Sequence, residues 1–329
     1  MPNPAAPAGG RPPVTFAEAR RRLEAKARPE RDKRMSIADA AALVRDGDHI
    51  AIGGCLYSRT PTLLLREVLR QRRRDVVLSR SLMCYEAELF FAAGASREIV
   101  TSWVGIGLPW GLSRIVREFV EGGQARFEEW SHLAIGLRYH AGAMGVPFLP
   151  TLSMLGSDLM RTTGAKTMTC PFTGERVCLV PALFPDVALI HVHRADPFGN
   201  AQIDGYPHMD ADIAAAARTV VLSAEEIVEP DQIRRTADRT AIPFFAVDAV
   251  VEARYGAYPH EMYGLYDVDL EHIDAYARRV GADGVAAARA YLDEYVYGPE
   301  TAEAYFKKFG ETRMLERRRA ARELTGEWT

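Results

Sequence analysis

The stretch DGDHIAIGGCLYSRTP, residues 46–61, passes from an apolar segment into two glycines and reaches a proline seven residues later. The segment HIAI predicts a short buried strand. The following TPTLLLREVLRQ predicts a helix with Thr60 at its N-cap and Pro61 at its first position. Between them lie Gly53 and Gly54. Because glycine has no Cβ, such a pair allows another group to approach the backbone closely. The stretch therefore predicts a strand, a ligand-facing loop and a helix.

The same alternation of strand and helix extends along the chain. On the N-terminal side, SIADAAALVRDG predicts a helix that begins with a capping box of Ser36 and Asp39 and ends at Gly47. On the C-terminal side, DVVLS precedes EAELFFAAG, EIVTSW precedes LSRIVREFVEGG, and RFEEW precedes SHLAIGLRYHAGAMG. A loop-rich insertion at 156–175 separates these from the apolar segments RVCLVPAL, DVALIHVH, TVVLSAEEIV and FFAVDAVVEA. The pattern predicts an α/β fold, with an open, mostly parallel sheet and helices on both faces.

Three segments are expected along the chain. Residues 1–34 form a disordered and charged extension, 35–316 the main domain, and 317–329 a helical tail. The leader MPNPAAPAGGRPP buries too little apolar surface to offset the entropy of ordering. The run FAEARRRLEAKARPERDKR fits either a targeting arm or a solvated helix, and its interspersed acids favour the helix. From about residue 270 the pattern is helical, and these helices must pack as an appendage or against a partner.

Composition excludes several classes of partner. The formal net charge is −3, with basic residues interspersed among acids, so nucleic acid is not expected as a partner. No apolar stretch approaches the roughly 20 residues that a bilayer span needs, so no membrane partner is expected. The four cysteines, at positions 55, 84, 170 and 178, form no CxxC pair. Reduced thiols and a cytoplasmic location are therefore predicted.

Three local motifs suggest chemistry but have simpler explanations. GIGLPWG follows a predicted strand, yet its third glycine comes one residue late for a dinucleotide loop, and Pro109 lacks an N–H. His191 and His193 fit either a metal pair or a core role. Without a third ligand at recognisable spacing, a structural role and no metal site are expected. Cys55 ends a strand as a nucleophile would, but no base accompanies it, so we predict that it is not the nucleophile.

The opening stretch resembles the signature of family I coenzyme A transferases. The matching positions are Asp46, Gly47, Ile50, Ala51, Ile52, Gly53, Gly54 and Pro61. Cys55 replaces the usual Phe of that signature, and Arg59 the usual Gly. The segments AMGVPFLP, MLGSDLM, DVALIHVHRADPFGNAQIDG and AYFKKFGETR are similar to the A subunits of glutaconate CoA-transferases, a branch that also carries Arg at position 59. The resemblance extends from residue 34 to about 316.

The resemblance implies a CoA-transferase subunit that works beside a homologous B subunit, commonly as an A2B2 heterotetramer. In this family a glutamate carboxylate attacks an acyl-CoA and becomes a glutamyl-CoA thioester, which then returns CoA to a second carboxylic acid. That glutamate lies in the B subunit, in a Ser-Glu-Asn-Gly context that this chain lacks. No catalytic residue is therefore expected in this chain. CoA is expected as a substrate, and no cofactor as permanently bound.

The resemblance also implies which residues border the substrate. Gly53 and Gly54 allow an acyl thioester or the partner's glutamate to lie against the backbone. The planar guanidinium of Arg59 suits a substrate carboxylate, with a surface position on a tight turn as the alternative. Gly156 and Ser157 match a Gly-Ser pair of the glutaconate enzymes and form a second candidate wall, with an ordinary loop as the alternative.

The residues themselves do not determine the identity of the acyl group. The loop VGIGLPWGL is more apolar than its counterpart in the glutaconate enzymes, which allows a dicarboxylic, a larger or a cyclic acyl group. Similar subunits serve ring-opening hydrolases and decarboxylases, and a non-catalytic assembly subunit is a further alternative. The partner subunit decides among these.

Overall fold

The computed structural model describes residues 14–26, 29–107 and 109–326. The predicted disorder of residues 1–13 lies outside the described residues. The strands are β1 (His49–Ile52), β2 (Val76–Ser79), β3 (Ser96–Thr101), β4 (Gly105–Gly107), β5 (Gly111–Leu112), β6 (Arg126–Glu129), β7 (Phe148–Thr151), β8 (Lys166–Thr169), β9 (Arg176–Pro181), β10 (Val187–Ala195), β11 (Ala201–Gln202), β12 (Thr219–Ile227), β13 (Thr240–Ile242) and β14 (Ala249–Glu252).

The helices alternate with these strands and then dominate the C-terminal part. They are α1 (Phe16–Glu24), α2 (Ile37–Ala41), α3 (Thr62–Arg70), α4 (Glu86–Ala92), α5 (Arg114–Glu121), α6 (His132–Met144), α7 (Leu159–Thr162), α8 (Asp210–Ala216), α9 (Pro230–Arg235), α10 (Leu270–Asp283), α11 (Val285–Tyr291), α12 (Ala302–Lys307) and α13 (Glu311–Thr325). No helix within the described ranges is both long and apolar enough to cross a bilayer.

A nine-stranded sheet forms the centre of the fold. Strands β6, β3, β2, β1, β10, β12 and β14 follow one another in parallel, while β11 and β13 continue from the end of β10 in antiparallel pairing. Strand β10 is central, because β1 pairs with one side of it and β12 with the other. The predicted α/β fold with a mostly parallel sheet is confirmed. Parallel strands place their carboxyl ends at one edge, where open α/β sheets bind ligands.

Two hydrophobic cores lie on opposite faces of this sheet. Ile50 and Ile52 of β1 point into one core, and Ala51 between them points into the other. This alternation follows the two-residue period of a strand. Helices α2 to α5 cover the first core, and α6, α8 and the small antiparallel sheet β7–β9–β8 cover the second. Helices therefore lie on both faces, as predicted.

The C-terminal helices pack against their own chain. Ile273 and Tyr276 of α10, together with Tyr291 of α11, are buried in the first core. The Tyr276 hydroxyl donates to Glu88 of α4 at 2.7 Å. The sequence left open whether these helices pack on their own chain as an appendage or against a partner. They pack on their own chain and complete its core. Helix α13 is largely exposed, and the predicted division at residue 317 falls inside it; the domain limits themselves stay a prediction.

Three local predictions need correction. The helix after Ser36 ends at Ala41 rather than at Gly47. Helix α3 begins at Thr62 with Pro61 at its N-cap, one residue later than predicted, because the Thr60 hydroxyl is bonded to Arg80 and His260. The insertion at 156–175 is less irregular than expected, since it contains α7 and β8.

The charged N-terminal run does form a helix, α1, but that helix is not simply solvated. Ala19 is buried, and the Arg22 guanidinium donates to Asp186 at 2.9 Å, just before β10. Lys26 lies 2.9 Å from the carboxylate of Asp248, before β14. The extension is thus attached by ion pairs to the amino-terminal edge of the sheet, opposite the edge at which a ligand is expected.

The placement of the C-terminal helices predicts a difference between two substitutions on one helix. Ile273→Ala removes a fully buried side chain and is expected to lower the free energy of unfolding by about 2–5 kcal/mol. Leu270→Ala, four-tenths exposed at the start of the same helix, is expected to cost less than about 0.5 kcal/mol. Urea denaturation followed by circular dichroism measures both. Equal effects would mean that α10 is not part of the core.

Candidate active site

The loop that follows β1 is a compact turn held by its own backbone. The amide of Cys55 donates to the Ser58 carbonyl at 3.0 Å, and the amide of Ser58 donates back at 2.8 Å. Three residues of the loop have a positive φ: Gly54 (68°), Leu56 (51°) and Arg59 (52°). Left-handed backbone is uncommon for residues with side chains and is maintained only where surrounding contacts enforce it.

Contacts within the protein account for both glycines of the signature. A Cβ on Gly53 would lie 3.0 Å from the Ile190 side chain of β10. A Cβ on Gly54 would overlap the Ser58 carbonyl oxygen. The groups that come close to this glycine pair are thus a neighbouring strand and the loop itself. Their contact with a substrate stays a prediction.

Arg80, which follows β2, stabilises the loop by hydrogen bonds from its guanidinium. Its side chain is fully buried, and its guanidinium forms an ion pair with Glu86 at 2.8 Å. The guanidinium also donates to the carbonyl oxygens of Gly53, Leu56 and Ser58 and to the Thr60 hydroxyl, at 3.0–3.2 Å. The inward-facing carbonyls of the loop are thereby satisfied without water.

The Arg59 side chain is buried in the protein, whereas the sequence analysis predicted that it would face a substrate or the solvent. Its guanidinium is 1% exposed and donates to the carboxylate of Asp210, which is fully buried at the start of α8. It also donates to the carbonyls of His191 and Tyr206, at 3.3 and 3.1 Å. The second oxygen of Asp210 accepts the Gly54 amide at 2.7 Å. This corrects the expectation of a guanidinium open to substrate, because the protein's own carboxylate occupies it.

The other predicted wall, Gly156 and Ser157, lies on the turn after β7. Both residues are exposed, and the Ser157 hydroxyl donates to the Met154 carbonyl at 2.7 Å. Gly156 has a φ of 78°, and a Cβ there would meet nothing within 4 Å. The turn is thus open to solvent and free to meet a ligand or a partner. Neither residue hydrogen-bonds to the loop after β1 in the described part of the chain.

Three polar residues at the carboxyl edge were missed by the sequence analysis. Ser102, after β3, donates to the Ser81 carbonyl at 2.5 Å and lies 3.3 Å from Nδ1 of His132, the exposed first residue of α6. His208 is partly buried with a φ of 53°, and its ring packs 4.7 Å from that of Tyr206. No spacing in the sequence connects these residues, because two different strand ends and the loop before α8 bring them to this edge.

Burial, assisted by the nearby Arg59 guanidinium, lowers the pKa of His208 to about 4. The imidazole is therefore neutral at pH 7 and offers one donor and one acceptor. Together with Ser102 and His132, it provides hydrogen-bonding groups at the carboxyl edge.

The two histidines of β10 have structural partners. His191 is bonded through Nε2 to Glu225 of β12 at 2.8 Å. His193 accepts the Asp204 amide at Nδ1 and donates from Nε2 to the Tyr263 carbonyl, at 3.1 and 2.9 Å. Both rings are thus engaged in holding neighbouring segments against the sheet. These contacts favour the predicted structural role.

The glycines of GIGLPWG also serve packing. Strands β4 and β5 form a two-stranded antiparallel hairpin rather than a loop that opens a helix. A Cβ on Gly107 would overlap the Tyr57 hydroxyl, and one on Gly105 would meet the Trp103 ring and the Gly111 carbonyl. Contacts within the protein thus account for both glycines.

Carboxylates beside the loop are largely committed to internal contacts. Asp210 and Glu86 are buried in ion pairs with arginine. Glu261 is partly buried, its amide donates to the Tyr57 carbonyl at 2.9 Å, and burial raises the pKa of its carboxyl group. Cys55 is partly exposed at the start of the turn. The edge therefore presents hydroxyls, imidazoles and backbone groups rather than unpaired carboxylates of Asp210 or Glu86.

Comparison with known proteins agrees with this geometry. A profile of the family described as Coenzyme A transferase matches residues 34–253. The chain belongs to that family. It is 33% identical over 305 residues to the A subunit of glutaconate CoA-transferase from Acidaminococcus fermentans, covering 86% of this chain and 93% of the relative. The crystal structure of that organism's glutaconate CoA-transferase superposes with a TM-score of 0.81, covering 86% of this chain and 94% of the other.

Two further relatives share most of the chain. The A subunit of 3-oxoadipate CoA-transferase from Pseudomonas knackmussii is 32% identical over 276 residues, 82% of this chain and 94% of its own. A variant of the decarboxylase AibA/AibB superposes with a TM-score of 0.67 at 32% identity, covering 78% of this chain and 97% of the other. The predicted membership of the CoA-transferases is confirmed. The protein is a CoA-transferase subunit, and CoA is a substrate of its family.

Removing one partner of the Arg59–Asp210 ion pair is expected to lower the free energy of unfolding much more than replacing both partners with apolar residues. Asp210→Ala leaves a buried guanidinium without its carboxylate and is expected to cost about 3–5 kcal/mol of unfolding free energy. The double variant Arg59→Met/Asp210→Leu leaves no buried charge and is expected to recover a substantial part of that loss.

A matched control is Asp204→Ala, which breaks the partly exposed Arg194–Asp204 pair and is expected to cost less than about 1 kcal/mol. Chemical denaturation of the wild-type chain and the three variants measures these differences. Equal losses for Asp210→Ala and Asp204→Ala would contradict the role given to the buried pair.

Proposed function

We propose that this chain is the A subunit of a heteromeric acyl-CoA transferase whose covalent glutamyl-CoA intermediate forms on a homologous B subunit. The observation that supports this most directly is the commitment of Asp210 and Glu86 to buried ion pairs beside the loop after β1. A carboxylate that is paired with a buried arginine is a poor nucleophile, because attack requires breaking the pair. The attacking carboxylate is therefore assigned to the partner.

In the proposed reaction, CoA is transferred twice: from the acyl group to the partner's glutamate, and from that glutamate to a second acid. The partner's glutamate attacks the acyl thioester, CoA leaves as a thiolate, and a mixed anhydride forms. The thiolate then attacks the glutamyl carbonyl, which releases the first acid and leaves a glutamyl-CoA thioester. A second carboxylate reverses these steps and departs as the new acyl-CoA. Each attack places negative charge on an oxygen that needs hydrogen-bond donors nearby.

We assign to this chain the wall against which these steps occur. The backbone of Gly53 and Gly54 and the turn at Gly156 and Ser157 are the proposed substrate-binding surfaces. Rigidity supports the first, since Arg80 and the Arg59–Asp210 pair hold the loop in one conformation. Openness supports the second, since the turn is exposed. Preorganised walls orient reactants without a conformational cost during the reaction.

The acyl group that this surface suits carries a polar substituent. Arg59 is unavailable, and two apolar residues of the loop VGIGLPWGL are engaged within the protein, since the Trp110 indole donates to Asp274 at 2.9 Å and Ile106 is buried. The side chains proposed to face the acyl group are those of Ser102, His132 and His208, which hydrogen-bond. An oxo, hydroxy or dicarboxylic acyl group would meet them. The relatives' names, glutaconate and 3-oxoadipate CoA-transferase, agree with this class.

The partner surface is proposed beside the same edge. Leu133, Leu152 and Tyr206 are 58%, 67% and 74% exposed. The segments carrying the two leucines are joined by a hydrogen bond of 2.7 Å between the hydroxyls of Ser131 and Ser153. Apolar side chains that border a polar cleft are typical of a protein interface. A homologous B subunit, assembled as A2B2, would cover them and close the site.

No permanently bound cofactor is proposed, and the four cysteines, none of them in a disulfide, fit a reducing cytoplasm. A decarboxylase subunit is the second candidate function, favoured by the similarity to AibA/AibB. The two differ in the partner, since a transferase needs the partner's glutamate.

Dependence on the partner is the first expected outcome. The isolated chain should not transfer CoA from glutaryl-CoA, 3-oxoadipyl-CoA or acetyl-CoA to a second acid, whereas the complex with its B subunit should. After incubation with acyl-CoA, mass spectrometry should find the CoA adduct on a glutamate of the B subunit. A Glu261→Gln complex should form the same adduct. Turnover by the isolated chain, or an adduct on Glu261, would contradict the proposal.

Cys55→Ser is expected to retain most of the turnover of the complex, because the covalent thioester forms on a carboxylate. Cys170→Ser, a change at a residue far along the chain on the β8–β9 turn, provides a comparison for the general effect of losing a thiol. Steady-state kinetics of both complexes are the measurement. A loss of several orders of magnitude in kcat for Cys55→Ser alone, with normal folding, would make Cys55 the nucleophile.

A further inference from the structure

Three side chains with metal-binding atoms meet beneath the loop that follows β1. Cys84 and Glu86 lie at the start of α4, and His260 lies on the segment between β14 and α10. The Cys84 Sγ, one carboxylate oxygen of Glu86 and one ring nitrogen of His260 all lie within 4.8 Å of one another. Their residues are 0%, 5% and 1% exposed. The cluster is separate from the solvent-facing carboxyl edge described above.

Among the residues that the structure describes, nothing hydrogen-bonds to two buried atoms of this cluster: Oε2 of Glu86 and Nε2 of His260. Buried polar atoms are almost always satisfied, and leaving one unsatisfied costs roughly 1–3 kcal/mol. Both side chains belong to the same cluster, so a single ion bound there is a candidate partner for these atoms. Neither belongs to the catalytic surface proposed above.

The other polar atoms of the same side chains are fixed. Oε1 of Glu86 accepts from the Arg80 guanidinium at 2.8 Å and from the Cys84 amide at 2.9 Å. Nδ1 of His260 lies 2.5 Å from the Thr60 hydroxyl, which also accepts from Arg80 at 3.0 Å. If Nδ1 carries the proton and donates to Thr60, Nε2 presents a lone pair. Metal-binding histidines and carboxylates are oriented by this kind of second contact.

A cavity lies beside two of the three side chains. A cavity of about 40 Å³ is lined by Glu86 and His260, and most of its remaining lining is aromatic or aliphatic. A single water needs roughly 10–15 Å³ of such volume. The cavity therefore has room for an additional ligand to an ion held by the cluster.

We propose that Cys84, Glu86 and His260 form a structural Zn²⁺ site. A thiolate, an imidazole nitrogen and a carboxylate oxygen are the donor types that Zn²⁺ takes in proteins, and a water in the cavity completes four-fold coordination. Binding releases the Cys84 thiol proton, so the charge of the site rises by one rather than two. Sequence spacing contains no sign of the site, because His260 is remote from the Cys-x-Glu pair.

Such an ion would join three segments that the fold brings together. Through Thr60 and Arg80 the cluster contacts the loop after β1, through Glu86 it contacts α4, and through His260 the segment before α10. The proposal does not depend on the acyl-CoA chemistry, because the ligands do not face the proposed substrate. Its test therefore uses metal binding and stability rather than turnover.

The experiment uses the untagged full-length chain expressed in zinc-supplemented medium. Metal analysis by mass spectrometry is expected to find about one Zn²⁺ per chain after extensive dialysis, as three protein ligands and a water imply. Cys84→Ser and His260→Gln are expected to lose that zinc, while Cys178→Ser is expected to keep it. Cys178 is the matched control, because it is an equally buried free cysteine on β9.

Refolding supplies a second measurement. The chain refolded from denaturant with Co²⁺ is expected to show a thiolate-to-metal charge-transfer band that is missing from Cys84→Ser. Zn²⁺ is expected to raise the Tm of the wild-type chain refolded from a metal-free state and not that of Cys84→Ser, a conservative change that carries the test if His260→Gln fails to fold. Wild-type chain without stoichiometric zinc, or zinc unaffected by Cys84→Ser, would overturn the site and leave a bridging water between Glu86 and His260.

Discussion

Two buried guanidinium groups determine the shape of the loop on which the candidate site depends. The loop after β1 turns its carbonyl oxygens inward at Gly53, Leu56 and Ser58, where Arg80 supplies donors to all three. A buried carbonyl without a donor is costly, so the turn depends on that side chain. Arg59, at the end of the loop, donates to Asp210, and the other oxygen of that carboxylate accepts the Gly54 amide. Both charges are stable in the interior because each guanidinium meets a carboxylate as well as backbone oxygens.

The same ion pairs limit the chemistry available at this edge of the sheet. Asp210 and Glu86 neutralise arginines, so the side chains that face the cleft are hydroxyls and imidazoles. Side chains of this kind donate and accept hydrogen bonds, whereas both carboxylates are paired with arginine. The proposed division of labour between this chain and a B subunit agrees with these ion pairs.

Contacts to the loop also connect parts of the chain that are distant in sequence. Asp210 contacts the loop from α8 and His260 from the segment before α10, while Glu86 of α4 pairs with Arg80, which holds the loop. The C-terminal helices share a core with α4, and the Tyr276 hydroxyl donates to Glu88 of that helix at 2.7 Å. A change at any of these contacts is therefore expected to reach the loop. Stability and the geometry of the site are coupled in this subunit.

Local pattern and tertiary contact contributed different parts of this structure. Periodicity and a short motif of adjacent residues were enough, in the sequence by itself, to determine the fold class and the family. Element ends were less accurate, since the Thr60 hydroxyl binds Arg80 and His260 instead of capping α3. Only the tertiary structure decided what Arg59 does, because a guanidinium next to a glycine loop suits a substrate carboxylate equally well until Asp210, 151 positions away, is seen to occupy it. A buried polar side chain needs a hydrogen-bonding or charged partner, and that partner determines what the side chain can do. Because such partners come from distant parts of the chain, the local sequence does not reveal them.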